Sequence, residues 1–304
     1  MPEGPEVRRY AQAIHSALSG QPIASLTART KAAKAYLAAE EPHLIGRRIE
    51  RVFSHGKNLI GQIEGGYYFY SHLMMWGSWR VLPHSSPFEV DRRERARIVV
   101  LGGATAILVS APIFEVGHGN PLNEIAALRH LGPDILPYPC AGHFAASCFL
   151  ERLLSAEHRE RAIGAALLDQ TIAAGIGNYL RAEILFRCRI NPFVRAVDLP
   201  QSALQELCQV IPEIASRALE AAGVTVSEAE QQRIRGDRSL LYPNGTPEWG
   251  SRHAVFRRTN LPCLNCGVKI QQKRQVTRQL ETGEDKERII YFCPNCQHVE
   301  VGPK

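Results

Sequence analysis

Four cysteines near the C terminus restrict what the last part of this chain can fold into. Cys263 and Cys266 form one Cys-x2-Cys pair, Cys293 and Cys296 form a second, and 26 residues lie between them. Each pair can present two thiolates to one tetrahedral Zn²⁺, and four thiolates leave no open coordination position. We therefore predict one structural zinc ion. Disulfides are the alternative, but the spacing favours a metal.

The residues between the cysteine pairs predict a β-hairpin. Gly267 suits a turn, and Ile289 to Phe292 are β-prone, so zinc would replace the hydrophobic core that so small a module lacks. From Arg252 to Lys304 there are ten Lys or Arg residues against five acids, which is +5 of the chain's formal +6. This basic end module indicates a polyanionic partner.

Upstream of the cysteines, the sequence predicts a multi-domain α+β protein. Apolar residues at Val7, Ala11, Ile14 and Leu18 share one face of a helix over 5–18. Residues 22–110 then read as short strands without intervening helices, which favours an antiparallel β-sandwich. Later helices are predicted over four segments, with Pro212 kinking or splitting the last: Phe144–Leu154, Ile163–Ile172, Tyr179–Arg187 and Ser202–Ala222.

These changes of pattern divide the chain into four parts. The prolines between Gly132 and Gly142 indicate an interdomain linker, and residues 223–256 are rich in Gly, Pro and charge and predict a loop. The predicted parts are a sandwich domain at 1–132, the linker at 133–142, a helical domain at 143–256 and a zinc-finger module at 257–304. No run approaches the ~18 apolar residues of a spanning helix, so we expect a cytoplasmic protein.

The start of the chain can place a reactive amine beside two carboxylates. If Met1 is removed, Pro2 becomes a free secondary amine, a group that titrates near pH ~8 and is partly nucleophilic at physiological pH. Glu3 follows it, and Glu6 lies one helical turn later. The alternative is an ordinary helix start, where proline and acids are common.

The segment Leu167 to Leu180 predicts a helix, a glycine turn and a second helix. Gly175 and Gly177 allow close backbone approach, and Asn178 can cap the second helix, whose amide end would then bind phosphate. An ordinary helical hairpin is the alternative.

Because it contains this segment together with the N-terminal and cysteine motifs, the chain resembles the DNA glycosylase/AP lyase family of formamidopyrimidine-DNA glycosylase and endonuclease VIII. The resemblance runs nearly end to end and rests on several motifs: Pro2-Glu3, Gly56-Lys57, Ser71-His72 through Arg80, Leu168-Asp-Gln170 through Arg181, and Cys293 through Gln297. It implies a helix-two-turn-helix motif and a four-cysteine zinc finger. The Met1–Glu6 start and Leu168-Asp-Gln170 are more similar to the endonuclease VIII branch.

The resemblance also implies roles for individual residues. Pro2 is expected to attack the sugar C1′, Glu3 and Glu6 to serve as acid–base carboxylates, and Lys57 and Arg288 to hold DNA phosphates near the reacting nucleotide. Solvated basic side chains are the alternative for Lys57 and Arg288. The inter-knuckle segment is about ten residues longer than expected for bacterial relatives, which leaves the alignment of Arg288 open.

Met74, Met75 and Trp76 match the position of the family's wedge, which fills the gap left when a base is rotated out of the duplex. Their alternative role is a turn packed into the core. Together with Lys57, Asn178 and Arg288, these side chains make up the expected DNA-binding set.

The expected function is a bifunctional glycosylase and AP lyase of base excision repair. It would act as a monomer on duplex DNA with damaged bases or abasic sites, in a bacterial cytoplasm and associated with the nucleoid. The family run Asp-Pro-Arg-Arg-Phe-Gly is missing near Ser110 to Glu115, which favours oxidised pyrimidines over oxidised purines. A purine-preferring enzyme and a non-catalytic lesion-binding protein are the alternatives; a zinc-ribbon factor would explain only the tail.

Overall fold

The computed structural model describes residues 2–82, 91–137, 143–243, 245–278 and 285–298. Within these ranges it does not describe the side chains of residues 40–42. Contacts divide the described residues into two compact units, one ending at Leu131 and the other beginning at Gly132. Part of the predicted linker, 138–142, lies outside the described residues.

The described strands are β1 Ile23–Ala28, β2 Ile49–His55, β3 Asn58–Ile63, β4 Tyr67–His72, β5 Ser78–Leu82, β6 Glu94–Val100, β7 Thr105–Val109, β8 Ile113–His118, β9 Gln271–Arg278 and β10 Lys286–Phe292. The described α-helices are α1 Gly4–Leu18, α2 Lys31–Leu44, α3 Pro121–Glu124, α4 Ala126–Arg129, α5 Ala146–Leu153, α6 Ile163–Ala166, α7 Asn178–Arg187, α8 Gln201–Glu220, α9 Glu228–Gly236 and α10 Pro247–Gly250.

The first unit contains the predicted antiparallel sandwich. Its two four-stranded sheets have the orders β1-β6-β7-β5 and β2-β3-β4-β8, and every neighbouring pair is antiparallel. Rings from both sheets meet in the core: Trp79 lies 6.3 Å from Phe69 and 6.1 Å from Phe114 between ring centroids. The shared core explains why strands from this region form one unit.

Helix α1 forms as the sequence predicts and packs on this sandwich. Val7, Ala11, Ile14 and Leu18 are all buried in its core. The buried Arg8 donates from Nε to Ser54 Oγ at 2.8 Å and from Nη2 to Ser54 O at 3.3 Å. These bonds attach the start of α1 to the end of β2, so its position relative to that strand is determined.

The strand-like region nevertheless contains a helix that the sequence analysis missed. Helix α2 buries Ala33, Leu37 and Leu44, whose spacings of four and seven residues match a helical face. Its alanine-rich sequence has high helix propensity. The prediction that 22–110 contains no helix was therefore wrong, because the β-prone segments on both sides of α2 had been taken to represent the whole region.

Residues 223–256 also contain helices, α9 and α10, where the sequence predicted a loop. Ser227 and Glu230 form a capping box that starts α9, and this S-x-x-E signal was available in the sequence. The buried Glu183 of α7 accepts hydrogen bonds from the backbone N–H groups of Ala254, Val255 and Phe256. A distant carboxylate therefore holds the end of this segment.

Two other helix predictions need correction. Pro212 does not split helix α8, so that alternative was wrong; the helix is continuous because its buried face, which includes Leu207, Ile211 and Ile214, packs into the core of the second unit and offsets the lost backbone bond. The helix predicted over Ile163–Ile172 ends at Ala166. Asp169 accepts hydrogen bonds from the backbone and hydroxyl of Thr171, and such local bonds compete with a helix.

In the second unit, one hydrophobic cluster joins the helices to the cysteine hairpin. It includes Ala182 and Phe186 of α7, Ile234 of α9, Ile290 of β10 and Cys293. Residues 133–137 belong to the same unit but pack into a second hydrophobic cluster, in which Ile135 is buried, and Pro133 O accepts a backbone bond from Ala174. No described helix is both long and apolar enough to cross a membrane.

Candidate active site and nucleic-acid interface

The start of α1 brings two of the predicted carboxylates together. Glu3 occupies the N-cap position and is 2% exposed, whereas Pro2 just before it is only partly buried. The Glu6 carboxylate accepts a 2.9 Å hydrogen bond from the Glu3 backbone N–H, one half of a capping box. Both acids therefore lie at the positive end of the helix dipole, which stabilises negative charge.

Lys57 lies in the tight turn between β2 and β3. His55 pairs directly with Asn58, so Gly56 and Lys57 are the two turn residues, and Gly56 adopts the left-handed φ of 55° that favours glycine. The buried Asn58 holds the turn, since its Nδ2 donates to His55 O at 3.1 Å and its Oδ1 accepts from Tyr70 OH at 2.8 Å. The half-buried Lys57 is thus carried on a rigid hairpin.

The turn after β4 exposes all three residues of the predicted wedge. Met74, Met75 and Trp76 are 44%, 57% and 80% exposed. Gly77 N donates to Leu73 O at 2.8 Å and closes the turn, and a Cβ at Gly77 would approach that oxygen to 2.4 Å. The alternative of a core-packed turn does not hold for these three side chains.

His72 supports this turn, a role that the sequence analysis did not assign. Its Nδ1 accepts a 3.1 Å hydrogen bond from Met74 N–H, and Met74 has a left-handed φ of 52°. Burial, followed by the positive charge of Lys57, lowers the pKa of His72, which keeps the ring neutral and Nδ1 able to accept. His72 also pairs with Asn58, next to Lys57, so the hairpin and the turn are neighbours in one sheet.

In the second unit, Gln170 organises the glycine turn between α6 and α7. Its amide donates to Leu168 O at 2.8 Å and to Ile176 O at 3.0 Å, and its Oε1 accepts from Gly175 N–H at 3.0 Å. Gly175 needs to be glycine because its φ is 116°. One side chain therefore satisfies three backbone groups of the turn.

The neighbouring Asp169 makes an ion pair with Arg161 at 2.7 Å. Burial acts to raise the pKa of Asp169, but hydrogen bonds from Arg161 and Thr171 outweigh it and hold the pKa below its usual value. Arg161 also donates to Thr277 O in β9 at 3.2 Å. The turn is thereby connected to the cysteine hairpin.

Asn178 is the first residue of α7, and Gly177 occupies the cap position, so the prediction that Asn178 caps this helix was wrong. Its Oδ1 instead accepts a 2.8 Å hydrogen bond from Arg181 Nη2. That partner attracts the carboxamide toward the helix side chains and away from the capping position. Arg181 lay within the motif quoted from the sequence, but no role was assigned to it.

The hairpin strands present Arg288 and bring the four cysteines together. Arg288 is exposed on β10 and lies opposite Gln275 of β9. The Sγ atoms of Cys263, Cys266, Cys293 and Cys296 all lie within 4.8 Å of one another, an arrangement that could hold a metal ion. Gln297 anchors the second knuckle, because its Oε1 accepts from Cys293 N–H at 2.8 Å and its Nε2 donates to Ile190 O at 2.9 Å.

Family comparisons agree with both units. The formamidopyrimidine-DNA glycosylase N-terminal domain matches residues 1–109, and the formamidopyrimidine-DNA glycosylase H2TH domain matches residues 131–230. Endonuclease 8 of Escherichia coli is 30% identical over 298 residues, covering 98% of this chain and 100% of that protein. Endonuclease 8 of Shigella sonnei is 29% identical with the same coverage.

Solved structures show the same fold. The Lactococcus lactis Fpg in complex with DNA containing an abasic site has a TM-score of 0.73 at 22% identity, over 98% of this chain and 100% of that one. The MutM (Fpg) protein of Thermus thermophilus has a TM-score of 0.70 at 29% identity, over 97% and 98%. The family models and the full-length relatives, together with this fold, define the class of protein as a bifunctional DNA glycosylase and AP lyase of base excision repair.

The chain belongs to the formamidopyrimidine-DNA glycosylase and endonuclease VIII family, as the full-length match to Endonuclease 8 shows. The resemblance stated from the sequence is thereby confirmed, as is the α+β architecture with its sandwich, helix-two-turn-helix region and four-cysteine hairpin.

Proposed function

We propose that this protein excises oxidised bases, with pyrimidines preferred, through a covalent Pro2 intermediate and then cuts the strand by β- and δ-elimination. The observation that carries the proposal is the start of α1, where Pro2 directly precedes the buried carboxylate of Glu3. With Met1 removed, Pro2 is a secondary amine with a pKa near ~8, so a useful fraction is neutral at physiological pH.

The chemistry needs no cofactor at the reacting carbon. The Pro2 nitrogen attacks C1′ as the C1′–base bond breaks, and the base leaves with that electron pair and takes up a proton. The nitrogen then loses its own proton, and its lone pair expels O4′ to give an iminium. Because proline is a secondary amine, this iminium carries a fixed positive charge that acidifies C2′–H.

Glu3 is the acid–base group for these steps. It protonates O4′ as the sugar ring opens, and as a carboxylate it can then accept the C2′ proton, after which the 3′ phosphate leaves. A second elimination expels the 5′ phosphate. Glu6 orients Glu3 through the bond to its backbone N–H and adds a second carboxylate beside the cationic intermediate.

Lys57 and the wedge serve substrate positioning. Lys57 would contact a phosphate beside the lesion, and its location on a glycine hairpin held by Asn58 limits its range of positions. Met74, Met75 and Trp76 would enter the gap left by the extruded nucleotide, since exposed apolar and aromatic surface on a tight turn is suited to stacking on bases.

In the second unit, Asn178 and Arg288 are proposed to bind phosphates. Asn178 stands at the N-terminal end of the ten-residue helix α7, where backbone amides and the dipole favour an anion. Arg288 is exposed on a hairpin strand and offers a planar fork that matches phosphate oxygens.

The metal of the cysteine cluster is proposed to be one structural zinc ion. Tetrahedral Zn²⁺ with Zn–S bonds of about 2.3 Å places its sulfurs roughly 3.8 Å apart. Cys263 and Cys296 have an Sγ–Sγ distance of 3.8 Å, and Cys266 and Cys293 have one of 3.5 Å, so the thiols fit this ion. Zinc would hold both knuckles together and so support the strand that carries Arg288.

Borohydride trapping on duplexes that each carry a different oxidised base or an abasic site tests the proposal. We expect a covalent adduct whose mass maps to the N-terminal peptide, with the fastest excision from oxidised pyrimidines. A variant that retains an N-terminal extension should form no adduct, while Lys57→Ala should still form one at Pro2. An adduct on Lys57, or full activity with the extension in place, would contradict the mechanism; faster excision of oxidised purines would contradict the pyrimidine preference.

A further inference from the structure

A buried arginine lies between the two proposed phosphate contacts of the second unit. Arg181 of α7 is fully buried. Its Nη1 donates to Gly164 O at 2.8 Å and to Gln275 Oε1 at 3.1 Å, and its Nη2 donates to Asn178 Oδ1 at 2.8 Å and to Ile289 O at 2.9 Å. One guanidinium therefore bonds groups from α6, α7, β9 and β10.

The bond to Asn178 determines the orientation of that carboxamide. A guanidinium has only donors, so the atom that faces Arg181 must be the oxygen of Asn178. The other end of the carboxamide is then the NH2 group, which is the end that can donate to a phosphate oxygen. Without Arg181, the carboxamide could rotate and present its oxygen, which a phosphate would repel.

The bonds to the hairpin determine where Arg288 stands. Ile289 directly follows Arg288 on β10, and Gln275 lies opposite Arg288 on β9. Gln275 is 5% exposed and is held in turn by donating to Pro192 O at 2.8 Å. Both strands are thus attached to Arg181 at the level of Arg288, across sequence separations of 108 and 94 residues.

We propose that Arg181 is a positioning residue that aligns Asn178 and Arg288 for binding to the same DNA backbone. This inference rests on the phosphate roles proposed above for those two residues. The two terminal nitrogens of the planar Arg181 guanidinium each donate to two acceptors, and these bonds set the spacing between α7 and the hairpin. A lysine has a single nitrogen at its tip and cannot make the same four bonds.

The test measures binding of the full-length, metal-loaded protein to a duplex with a tetrahydrofuran abasic-site analogue as salt is raised. Each phosphate contact contributes about 0.9 to the slope of log affinity against log salt. Arg181→Lys should reduce the slope by up to about 1.8, since it impairs two contacts. The matched control is Arg187→Lys on the same helix, which replaces the two-bond contact of Arg187 with Glu230 and should leave the slope unchanged.

A purely structural role for Arg181 would lower stability in both variants and leave both slopes at the wild-type value, which would overturn the proposal. Adding Arg181→Lys to the Asn178→Ala/Arg288→Ala double variant should cause no further fall in slope. A further, additive fall would also overturn it, because Arg181 would then act independently of the two contacts.

Two single variants separate this inference from the proposed function. If neither Asn178→Ala nor Arg288→Ala lowers the slope, the phosphate roles themselves are wrong; if both lower it and Arg181→Lys does not, only the positioning role is wrong. Should Arg181→Lys fail to fold, Gln275→Met decides the matter. It removes the hairpin side chain that Arg181 holds and should lower the slope by about 0.9, whereas an unchanged slope would overturn the inference.

Discussion

Removing the Trp76 side chain should slow base excision from duplex DNA without destabilising the protein. Trp76 is 80% exposed, so Trp76→Ala takes little apolar area out of the folded core and should change the free energy of unfolding by no more than about 0.5 kcal/mol. Stacking of a base on an aromatic ring contributes about 1–3 kcal/mol. Losing that contribution from the extruded state corresponds to excision about 5-fold to 150-fold slower.

Single-turnover kinetics on two substrates isolate this effect. An oxidised pyrimidine paired in a duplex must be unstacked before excision, whereas an abasic site in a single strand has no base to extrude. Trp76→Ala should slow the first reaction and spare the second. Leu101→Ala is the matched control, because Leu101 is 69% exposed on another turn of the same unit and should affect neither rate.

Met74→Gly distinguishes a role of the wedge in base excision from a role in folding more clearly than Trp76→Ala does. Met74 has a φ of 52°, a conformation that costs a non-glycine residue about 1–2 kcal/mol, so glycine should leave the unfolding free energy unchanged or raise it. The same variant should slow duplex excision because it removes a wedge side chain. Equal slowing on both substrates by Trp76→Ala and Met74→Gly would refute the reasoning and assign the turn to folding alone.

Three further outcomes are expected. Glu3→Gln should abolish base excision while gel-shift affinity for a lesion duplex stays within about threefold of wild type, since it removes a proton-transfer group; a loss of affinity as large as that of Arg288→Ala would refute the separation of roles. Cys293→Ser should lower the zinc content, measured by metal analysis, below one ion per chain and should abolish DNA binding. The sandwich should remain folded, as judged by near-ultraviolet circular dichroism. Full DNA binding without zinc would contradict a structural role for the ion. Because the pKa of His72 is lowered on folding, its stabilising contribution is present above the ordinary histidine pKa near ~6.5 and is lost as pH falls through the lowered value. Burial also lowers the pKa of His253, to about 4, so a loss of stability over this pH range is expected in both proteins. Unfolding measured against pH should show a larger loss in wild type than in His72→Asn, and identical profiles would exclude a contribution from His72.

The sequence alone determined the features that depend on local spacing. Each Cys-x2-Cys pair places two thiols close together because a knuckle is a short local turn, and the repeat of this spacing was enough to predict a metal site, whereas the meeting of the two pairs depends on the hairpin between them. The helical period of Val7, Ala11, Ile14 and Leu18 was enough to predict α1 and its buried face. The family resemblance placed a wedge at Met74 to Trp76 and left a core-packed turn as the alternative, and only the fold established that these side chains are exposed.

Only the tertiary structure decided the features that depend on partners far away in sequence. Residues 223–256 contain two helices, and the end of this segment is bound to the Glu183 carboxylate, 71 residues before Ala254. Asn178 bonds Arg181 and does not cap α7, because that arginine is held by carbonyls from elements up to 108 residues away. Local sequence patterns specify which helices and strands form. The hydrogen-bond partner of a buried polar group depends on which distant segment the fold places next to it, and the local sequence around either partner does not reveal that pairing.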